Sequence, residues 1–160
     1  MPETGATAEA RAGKYLTFRL AGEEFGIRVM QVREIMGLQE ITPVPHTPAH
    51  VKGVINLRGK VIPVICLRSK FAIPAAEYTD RTSIIVVQVH RGRMLAGIIV
   101  DGVSEVLNVA GADIENAPDF GAGADTSYVV GMAKVKGAIK ILLDIDQVMI
   151  ALGDVTALAR

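Results

Sequence analysis

The sequence predicts an all-β protein made of two small, related barrels. Short apolar segments with strand-like alternation follow one another along most of the 160 residues and are separated by glycine turns. Strands at this density are typical of small barrels. The chain also repeats itself, because residues 25–35 align without a gap with residues 96–106 and keep glycine, isoleucine, valine and glutamate in register. Half of the residues are apolar, so the chain can bury a sizeable core.

The repeat continues further along the chain. Gly53 and Gly59 are six residues apart, as are Gly131 and Gly137, and apolar positions follow each pair. Each half would therefore supply one hairpin, one short turn and another hairpin, which is enough for a five-stranded barrel filled by its own side chains. Two such barrels packed together leave a groove between them, and seams of this kind often bind partners.

The first half begins with a leader and a hairpin. Residues 1–12 have no periodic apolar pattern and are predicted to be a flexible leader. Alternating apolar residues on both sides of a turn at 21–24 predict the hairpin. Over residues 30–36, the spacings of three and four residues from Val32 to Ile35 and Met36 predict a short helix or turn rather than a strand.

The remaining elements are predicted to be strands, with a helix at the end. Prolines at positions 43, 45 and 48 indicate an irregular connection, because proline lacks the amide donor that a central strand needs. A glycine-containing loop at 110–126 is predicted to be mobile. Strands are predicted over 52–57, 60–67, 83–90, 94–100, 103–109, 129–135 and 138–143, and a helix capped by Asp144 over 145–152.

Charge and composition exclude several classes of function. Seventeen basic residues balance seventeen acidic ones, and no basic stripe interleaves with aromatic residues, so binding to nucleic acid is not expected. A single cysteine, Cys66, allows no internal disulfide and fits a reducing compartment. The N-terminus lacks a signal-peptide pattern and the apolar runs are too short to span a bilayer, so we expect a cytoplasmic protein without membrane insertion.

No catalytic, metal or cofactor site is predicted. His46 and His50 have Pro48 between them and His90 stands alone, whereas a zinc centre typically needs three or four protein ligands. Cys66 lies in an apolar strand, where a thiol is protonated and inert. These residues are therefore interpreted as packing or solvated side chains.

A more informative feature is a polar corner between two apolar strands, Asn56-Leu57-Arg58-Gly59. The planar guanidinium of Arg58 suits the recognition of a carboxylate. Turn arginines are usually solvated, and exposed ion pairs contribute at most about 1 kcal/mol, so a structural role and a recognition role both stay open. Two interpretations also stay open for Val32, Ile35 and Met36. They could pack in the core or, where exposed, form a docking patch.

These features and several others match one family in order and spacing. From about Lys14 to Ile150 the sequence resembles the CheW family of bacterial chemotaxis coupling proteins. The resemblance is carried by Phe25-Gly-Ile27, Val32-Arg-Glu-Ile35, Thr47-Pro48, Val51 to Gly59, Val61 to Val64, Gly97 to Val103 and Glu105-Val106. Motifs that keep their order over nearly a whole chain are far more specific than any one of them alone.

The resemblance implies a fold of two intertwined five-stranded SH3-like β-barrels with short helical turns and a C-terminal helix. The CheW-like domain would span residues 13–152, between the leader and a tail at 153–160. Its first barrel half would cover about 14–82 and its second about 83–150, with strands that could be exchanged between the barrels.

The resemblance also implies a function. Members of this family are non-enzymatic adaptors that link the cytoplasmic tips of chemoreceptors to the regulatory domain of the histidine kinase CheA, and they are recruited to membrane-associated receptor arrays. Two sets of contact residues follow for this chain. The receptor side would be Asn56, Leu57, Arg58, Val32, Val100 and Val103, and the kinase side Ile27, Glu34, Ile35 and Met36.

The sequence departs from the family pattern at Cys66, where members commonly carry aspartate, and a lost carboxylate there could remove a helix cap. Two other functions stay open. One is an adaptor with the same fold in a signalling array outside chemotaxis. The other is a small cysteine-dependent enzyme, which a Cys66→Ala variant would reveal through the loss of an activity.

Overall fold

The protein is all-β, as the sequence predicts. The computed structural model describes residues 8–118 and 127–152. Eleven strands form within them: β1 (Gly13–Leu20), β2 (Glu23–Arg28), β3 (Val32–Gly37), β4 (Val51–Leu57), β5 (Lys60–Cys66), β6 (Ser83–Val89), β7 (Met94–Val100), β8 (Gly102–Val109), β9 (Ile114–Glu115), β10 (Val129–Val135) and β11 (Ala138–Leu143). The helical elements are α1 (Ala8–Arg11), α2 (Leu67–Lys70), α3 (Ile145–Leu152) and 3-10 turns at Val29–Gln31 and Gly111–Asp113.

Each of the two sheets takes strands from both halves of the chain. One has six strands in the order β8-β1-β2-β11-β10-β9, and the other has five in the order β3-β6-β7-β5-β4. The β2–β11 and β5–β7 pairs are parallel. The segments 14–82 and 83–150 therefore both contribute to each sheet. The six-stranded sheet exceeds the expected five strands by β9, which has only two residues.

The internal repeat is visible in the strand register. Gly26 of β2 lies opposite Leu142 of β11, and Gly97 of β7 lies opposite Val64 of β5. A β-bulge interrupts the pairing near the start of both β4 and β10. With β9 set aside, the order β8-β1-β2-β11-β10 therefore corresponds strand by strand to β3-β6-β7-β5-β4.

The five-stranded sheet curls until the chain beyond β3 reaches β4, at the opposite edge. Thr42 and Val54 exchange two backbone hydrogen bonds there, each 2.9 Å long. Gly53 makes this approach possible, because it has a φ of +144° and a Cβ atom at this position would lie 2.0 Å from the Thr42 carbonyl oxygen. Only glycine fits such a contact.

Three apolar clusters fill the fold. The central cluster joins both sheets and α3, and it includes Leu16, Phe18, Ile85, Val87, Ile98 and Val148. The five-strand cluster contains Ile55, Ile62, Val64, Ile84, Val86 and Ile99. The six-strand cluster contains Tyr15, Val109, Ile114, Ala133 and Leu142. Because successive strand residues face opposite sides, β6 is buried on both faces, which explains its continuous apolar run.

The prediction of a short helix or turn over residues 30–36 is wrong from Val32 onward. Only Val29–Gln31 are helical, and β3 begins at Val32. This strand pairs antiparallel with β6, ending with Gly37 opposite Ser83. The spacing of three and four residues is a coincidence, since pairing with a buried strand overrides a weak local helical preference.

Two segments predicted to be irregular contain regular structure. Residues Ala8–Arg11 form a helical turn, and the Tyr15 hydroxyl donates a 2.6 Å hydrogen bond to the Arg11 carbonyl. The prediction of a flexible leader is therefore wrong for these residues. The predicted loop at 110–126 contains a 3-10 turn and β9. The rest of the leader (1–7), the loop segment 119–126 and the tail at 153–160 lie outside the described residues.

Asp144 caps α3, as predicted. Its Oδ1 atom accepts hydrogen bonds from the amides of Asp146 at 3.0 Å and Gln147 at 3.3 Å. Cys66 holds the equivalent position in the first half, two residues beyond Val64, and makes no side-chain hydrogen bond to α2. The thiol thus stands where the second copy has a capping carboxylate.

Replacing Cys66 with aspartate is expected to raise the free energy of unfolding by about 1 kcal/mol, because a carboxylate at this position would accept an otherwise unpaired helix amide. Urea unfolding measures the change. Cys66→Ala, which supplies no cap, is the matched control. If the aspartate variant is no more stable than the alanine variant, a carboxylate at position 66 does not stabilise the protein by capping α2.

An ion pair fixes the junction between β7 and β8. Arg68 donates to both carboxylate oxygens of Asp101, from Nε at 2.8 Å and from Nη2 at 2.6 Å. Asp101 also accepts a hydrogen bond from the amide of Ala21 in the β1–β2 turn, at 2.8 Å. The hydrogen bonds from Arg68 hold the pKa of Asp101 below its usual range. The pair therefore links α2, the β7–β8 junction and the first hairpin.

Asp101→Asn is expected to lower the free energy of unfolding at pH 7 by about 1–2 kcal/mol, because charge-assisted hydrogen bonds of this kind contribute about that much. The folded pKa is depressed, so the stabilisation is present above the unfolded value of about 3.9 and is lost as the pH falls through the folded value. Denaturant unfolding from pH 7 down to pH 3 should show the difference between wild type and variant shrinking below about pH 4.

The Lys134–Glu115 pair provides a control, because both of its side chains are more than half exposed. Glu115→Gln should change stability by less than about 0.5 kcal/mol at either pH. If Asp101→Asn and Glu115→Gln lower the free energy of unfolding equally, the effect comes from overall charge balance and not from the Arg68–Asp101 contact.

Candidate partner-binding surface

The Arg58 corner, residues 56–59, is the two-residue turn between β4 and β5 with its flanking residues. Arg58 and Gly59 have φ values of +51° and +88°, as in a type I′ hairpin. Asn56 accepts a 2.8 Å hydrogen bond from the Gly59 amide through its Oδ1 atom. Arg91-Gly92 and Lys136-Gly137 have the same backbone signs, so positive φ at Arg58 reflects hairpin geometry and does not itself indicate function.

What distinguishes this corner is an ion pair with β3. The Arg58 guanidinium donates two hydrogen bonds to the Glu34 carboxylate, with Nη1 3.3 Å from Oε2 and Nη2 bonded to Oε1. The side chains are 73% and 30% exposed, respectively. The hydrogen bonds from Arg58 lower the pKa of Glu34. The pair thus joins a predicted receptor residue to a predicted kinase residue on one surface.

Exposed apolar residues lie close to this ion pair in sequence. Ile35 is 46% exposed on β3 and Val61 is 71% exposed at the start of β5. Leu57 and Met36 are partly buried against the five-strand cluster. Because successive strand residues face opposite sides of a sheet, Glu34 shares a face of β3 with Met36, and Ile35 projects from the other face.

The predicted contact residues are not all available to a partner. Val32 and Val103 are partly buried against the central cluster. Ile27 and Val100 are almost completely inaccessible, at 0% and 1% exposure, so direct contact roles for these two do not fit the structure. Both belong to strands, as expected, but the sequence pattern could not show which strand faces would be covered by the second sheet.

Met30 was missed by the sequence analysis. It lies in the 3-10 turn between β2 and β3 and is 81% exposed, more than any other large apolar side chain in the described part of the chain. It follows Val29 and shortly precedes Val32, so its apolar character did not separate it from core residues. An apolar residue at an unpaired turn position was the available clue.

The histidines and the cysteine were the other residues weighed for chemistry in the sequence. Cys66 is buried. Among the described residues, no group of three histidine, cysteine, aspartate or glutamate side chains could hold a metal ion. No helix in residues 8–118 or 127–152 is long and apolar enough to cross a membrane.

Comparison with known proteins identifies the family. Residues 14–152 match the family model of the CheW-like domain. The chain belongs to the CheW family. This CheW-like domain thus covers every element from β1 to α3, and it includes both Glu34 and Arg58.

Relatives of this CheW-family chain are similar over most of their length. It is 38% identical over 149 residues to the chemotaxis protein CheW of Klebsiella aerogenes, covering 90% of this chain and 89% of the relative. It is 41% identical over 133 residues to the chemotaxis protein CheW of Rhizobium meliloti, with coverage of 83% and 84%. The crystal structure of the scaffolding protein TtCheW from Thermoanaerobacter tengcongensis matches with a TM-score of 0.77 at 36% identity, covering 86% of this chain and 92% of that one.

Proposed function

We propose that this chain is a non-enzymatic adaptor that couples chemoreceptors to the histidine kinase CheA, in the cytoplasm at membrane-associated receptor arrays. The observation that carries the proposal is the Glu34–Arg58 ion pair, which joins β3 to the β4–β5 turn on a domain of the CheW family. The relatives named as chemotaxis and scaffolding proteins support the same role. A surface of this kind binds and positions partners, and no bond chemistry is required of it.

On the receptor side, we propose that Asn56, Leu57 and Arg58 contact the cytoplasmic tip, with Val32 and Val103 contributing partly buried apolar surface. Asn56 stabilises the turn by accepting a hydrogen bond from the Gly59 amide. The backbone of Arg58, from which the guanidinium extends, is therefore held in place. A receptor carboxylate could replace or join Glu34 at Arg58, because five donors on a planar group can serve two acceptors. Binding would then exchange one ion pair for another and cost little in desolvation.

On the kinase side, we propose Glu34, Ile35 and Met36, with Ile35 as the main apolar contact because it is the most exposed of the three. Ile27 is buried, and we propose exposed Met30 as a kinase contact in its place. Met30 lies in the 3-10 turn that follows β2, the strand that contains Ile27. The Glu34–Arg58 pair lies where the two proposed surfaces meet. Binding of one partner is thus expected to affect the other.

The test measures the two interactions separately. The purified chain is titrated with a chemoreceptor cytoplasmic tip and with the regulatory domain of CheA, and both are expected to bind. Ile35→Ser should weaken binding to the kinase domain about tenfold and leave receptor binding within about twofold, because apolar anchors dominate small interfaces. Ile139→Ser removes an isoleucine of similar exposure from the six-stranded sheet and serves as the matched control.

The outcomes separate the candidate functions. If the wild-type chain binds neither partner, the adaptor proposal is wrong. Binding to the kinase domain without binding to any chemoreceptor tip would favour an adaptor in another signalling array. If Ile35→Ser and Ile139→Ser weaken binding to the kinase domain equally, β3 is not the kinase-binding surface.

A further inference from the structure

A basic groove lies at one end of the five-stranded sheet, between the β6–β7 turn, the start of β5 and β3. Its volume is about 570 Å³. Val54, Val61, Ile62, Pro63, Met94 and Leu95 supply apolar walls, and Arg33, Lys60 and Arg93 supply cations. Within residues 8–118 and 127–152, no aspartate or glutamate lines it. The groove therefore combines apolar surface with three positive charges, in a chain whose formal net charge is zero.

The three cations are not used within the described fold. The ion pairs found in residues 8–118 and 127–152 join Arg58 to Glu34, Arg68 to Asp101, Lys134 to Glu115 and Lys140 to Glu24. None of these pairs includes Arg33, Lys60 or Arg93, and all three of those side chains belong to exposed residues. Charges left unpaired around one concave surface create a local positive potential that attracts an anionic partner.

The apolar walls narrow the choice of partner. Val61 is 71% exposed, and Ile62 and Leu95 connect the groove to the five-strand cluster. Binding of single-stranded nucleic acid relies on aromatic side chains for stacking, and among the described residues no aromatic side chain lines this groove. A concave site of this size also favours an inserted side chain over a flat lipid surface.

We propose that this groove binds an acidic segment of a partner protein, with carboxylates at Arg33, Lys60 and Arg93 and an aliphatic side chain against Val61 and Leu95. The groove is distinct from the Glu34–Arg58 pair, neither member of which lines it. The inference therefore does not depend on which proteins the Arg58 corner contacts. It adds a third recognition surface to the domain.

The experiment uses fluorescein-labelled peptides of about twelve residues and the full chain. The test peptide repeats Glu-Glu-Leu, a second repeats Glu-Glu-Ser, and a third repeats Lys-Lys-Leu. Fluorescence anisotropy should show binding of Glu-Glu-Leu that weakens with added salt, about tenfold weaker binding of Glu-Glu-Ser and no binding of Lys-Lys-Leu. Amide NMR shifts on titration should concentrate at Ile62, Gly92 and Leu95.

Variants locate the site. Lys60→Glu and Arg93→Glu should each weaken binding of Glu-Glu-Leu about five- to tenfold, and Val61→Ser about fivefold. Lys14→Glu makes the same charge change at an exposed position on β1 of the six-stranded sheet and should alter binding by less than about twofold. All these positions are exposed, and amide spectra of the free variants check that each has folded.

Several results would overturn the proposal. If Lys14→Glu weakens binding as much as Lys60→Glu, only the overall charge matters. If Glu-Glu-Ser binds as tightly as Glu-Glu-Leu, the apolar walls play no part. Groove-dependent binding to phosphatidylglycerol vesicles or to a duplex DNA that exceeds binding to the peptide would assign the surface to lipid or nucleic acid instead.

Discussion

Arg58→Glu is expected to weaken binding to a chemoreceptor tip at least tenfold while the fold is kept. The substitution places two carboxylates together where Glu34 now has a cation, and it removes the guanidinium proposed to meet a receptor carboxylate. The Arg58 side chain is largely exposed, so the free energy of unfolding should change little. Titration with the receptor tip and urea unfolding measure the two effects separately.

A charge exchange separates direct contact from support of the turn. Combining Arg58→Glu with Glu34→Arg restores an ion pair of reversed direction between the β4–β5 turn and β3. If Arg58 itself meets the receptor, this double variant regains stability and does not regain binding. Recovery of receptor binding to near the wild-type level would show that the pair only holds the turn. Glu34→Gln frees Arg58 and should leave receptor binding equal or tighter.

Gly53→Ala is expected to lower the free energy of unfolding by about 3 kcal/mol or more. A Cβ atom would lie 2.0 Å from the Thr42 carbonyl oxygen and 2.7 Å from its carbon, and both are backbone atoms. The residue also has a φ of +144°, which side chains rarely tolerate. The Thr42–Val54 bridge must open to relieve the contact.

Gly37→Ala is the matched control. An added Cβ at Gly37 meets nothing within 4 Å, so stability should change by less than about 1 kcal/mol. Urea unfolding of both variants tests the comparison, and receptor binding of Gly53→Ala should fall as well, since β4 leads directly into the Arg58 corner. A Gly53→Ala protein as stable as Gly37→Ala would mean that Thr42 can move away at little cost.

Much of the fold could be predicted because strand signals were strong locally. Apolar runs of β-branched residues between glycine turns located β7, β10 and β11 with the bounds that the structure has. The Asp144 cap was equally local, since a side chain and the two amides that it accepts from lie within three residues. The error at β3 has the opposite origin. Its strand conformation depends on pairing with β6, which is about fifty residues away in sequence. A window of seven residues gives no information about that pairing.

The candidate site was harder to predict because it depends on sheet curvature. Arg58 and Glu34 were both selected from the sequence, but they were assigned to different partners, and only the folded sheet brings them together. Ile27 and Val100 were selected by resemblance and turned out to be buried, because a strand that is covered on both faces has the same apolar sequence as one with a docking face. Met30 lies in a turn and was overlooked because an apolar residue next to Val29 could not be told from a core residue in the sequence.

Each sheet takes strands from both halves of the chain, and this limits the order in which the chain can fold during synthesis. The β3, β4 and β5 strands leave the ribosome before β6 and β7, which form the centre of their sheet. At about 5–20 residues per second, the first half must wait several seconds for these partners. During that time the apolar faces of β4 and β5 have no sheet to join. A nascent chain of this design depends on rapid completion, or on a chaperone, to avoid pairing with a neighbouring nascent chain.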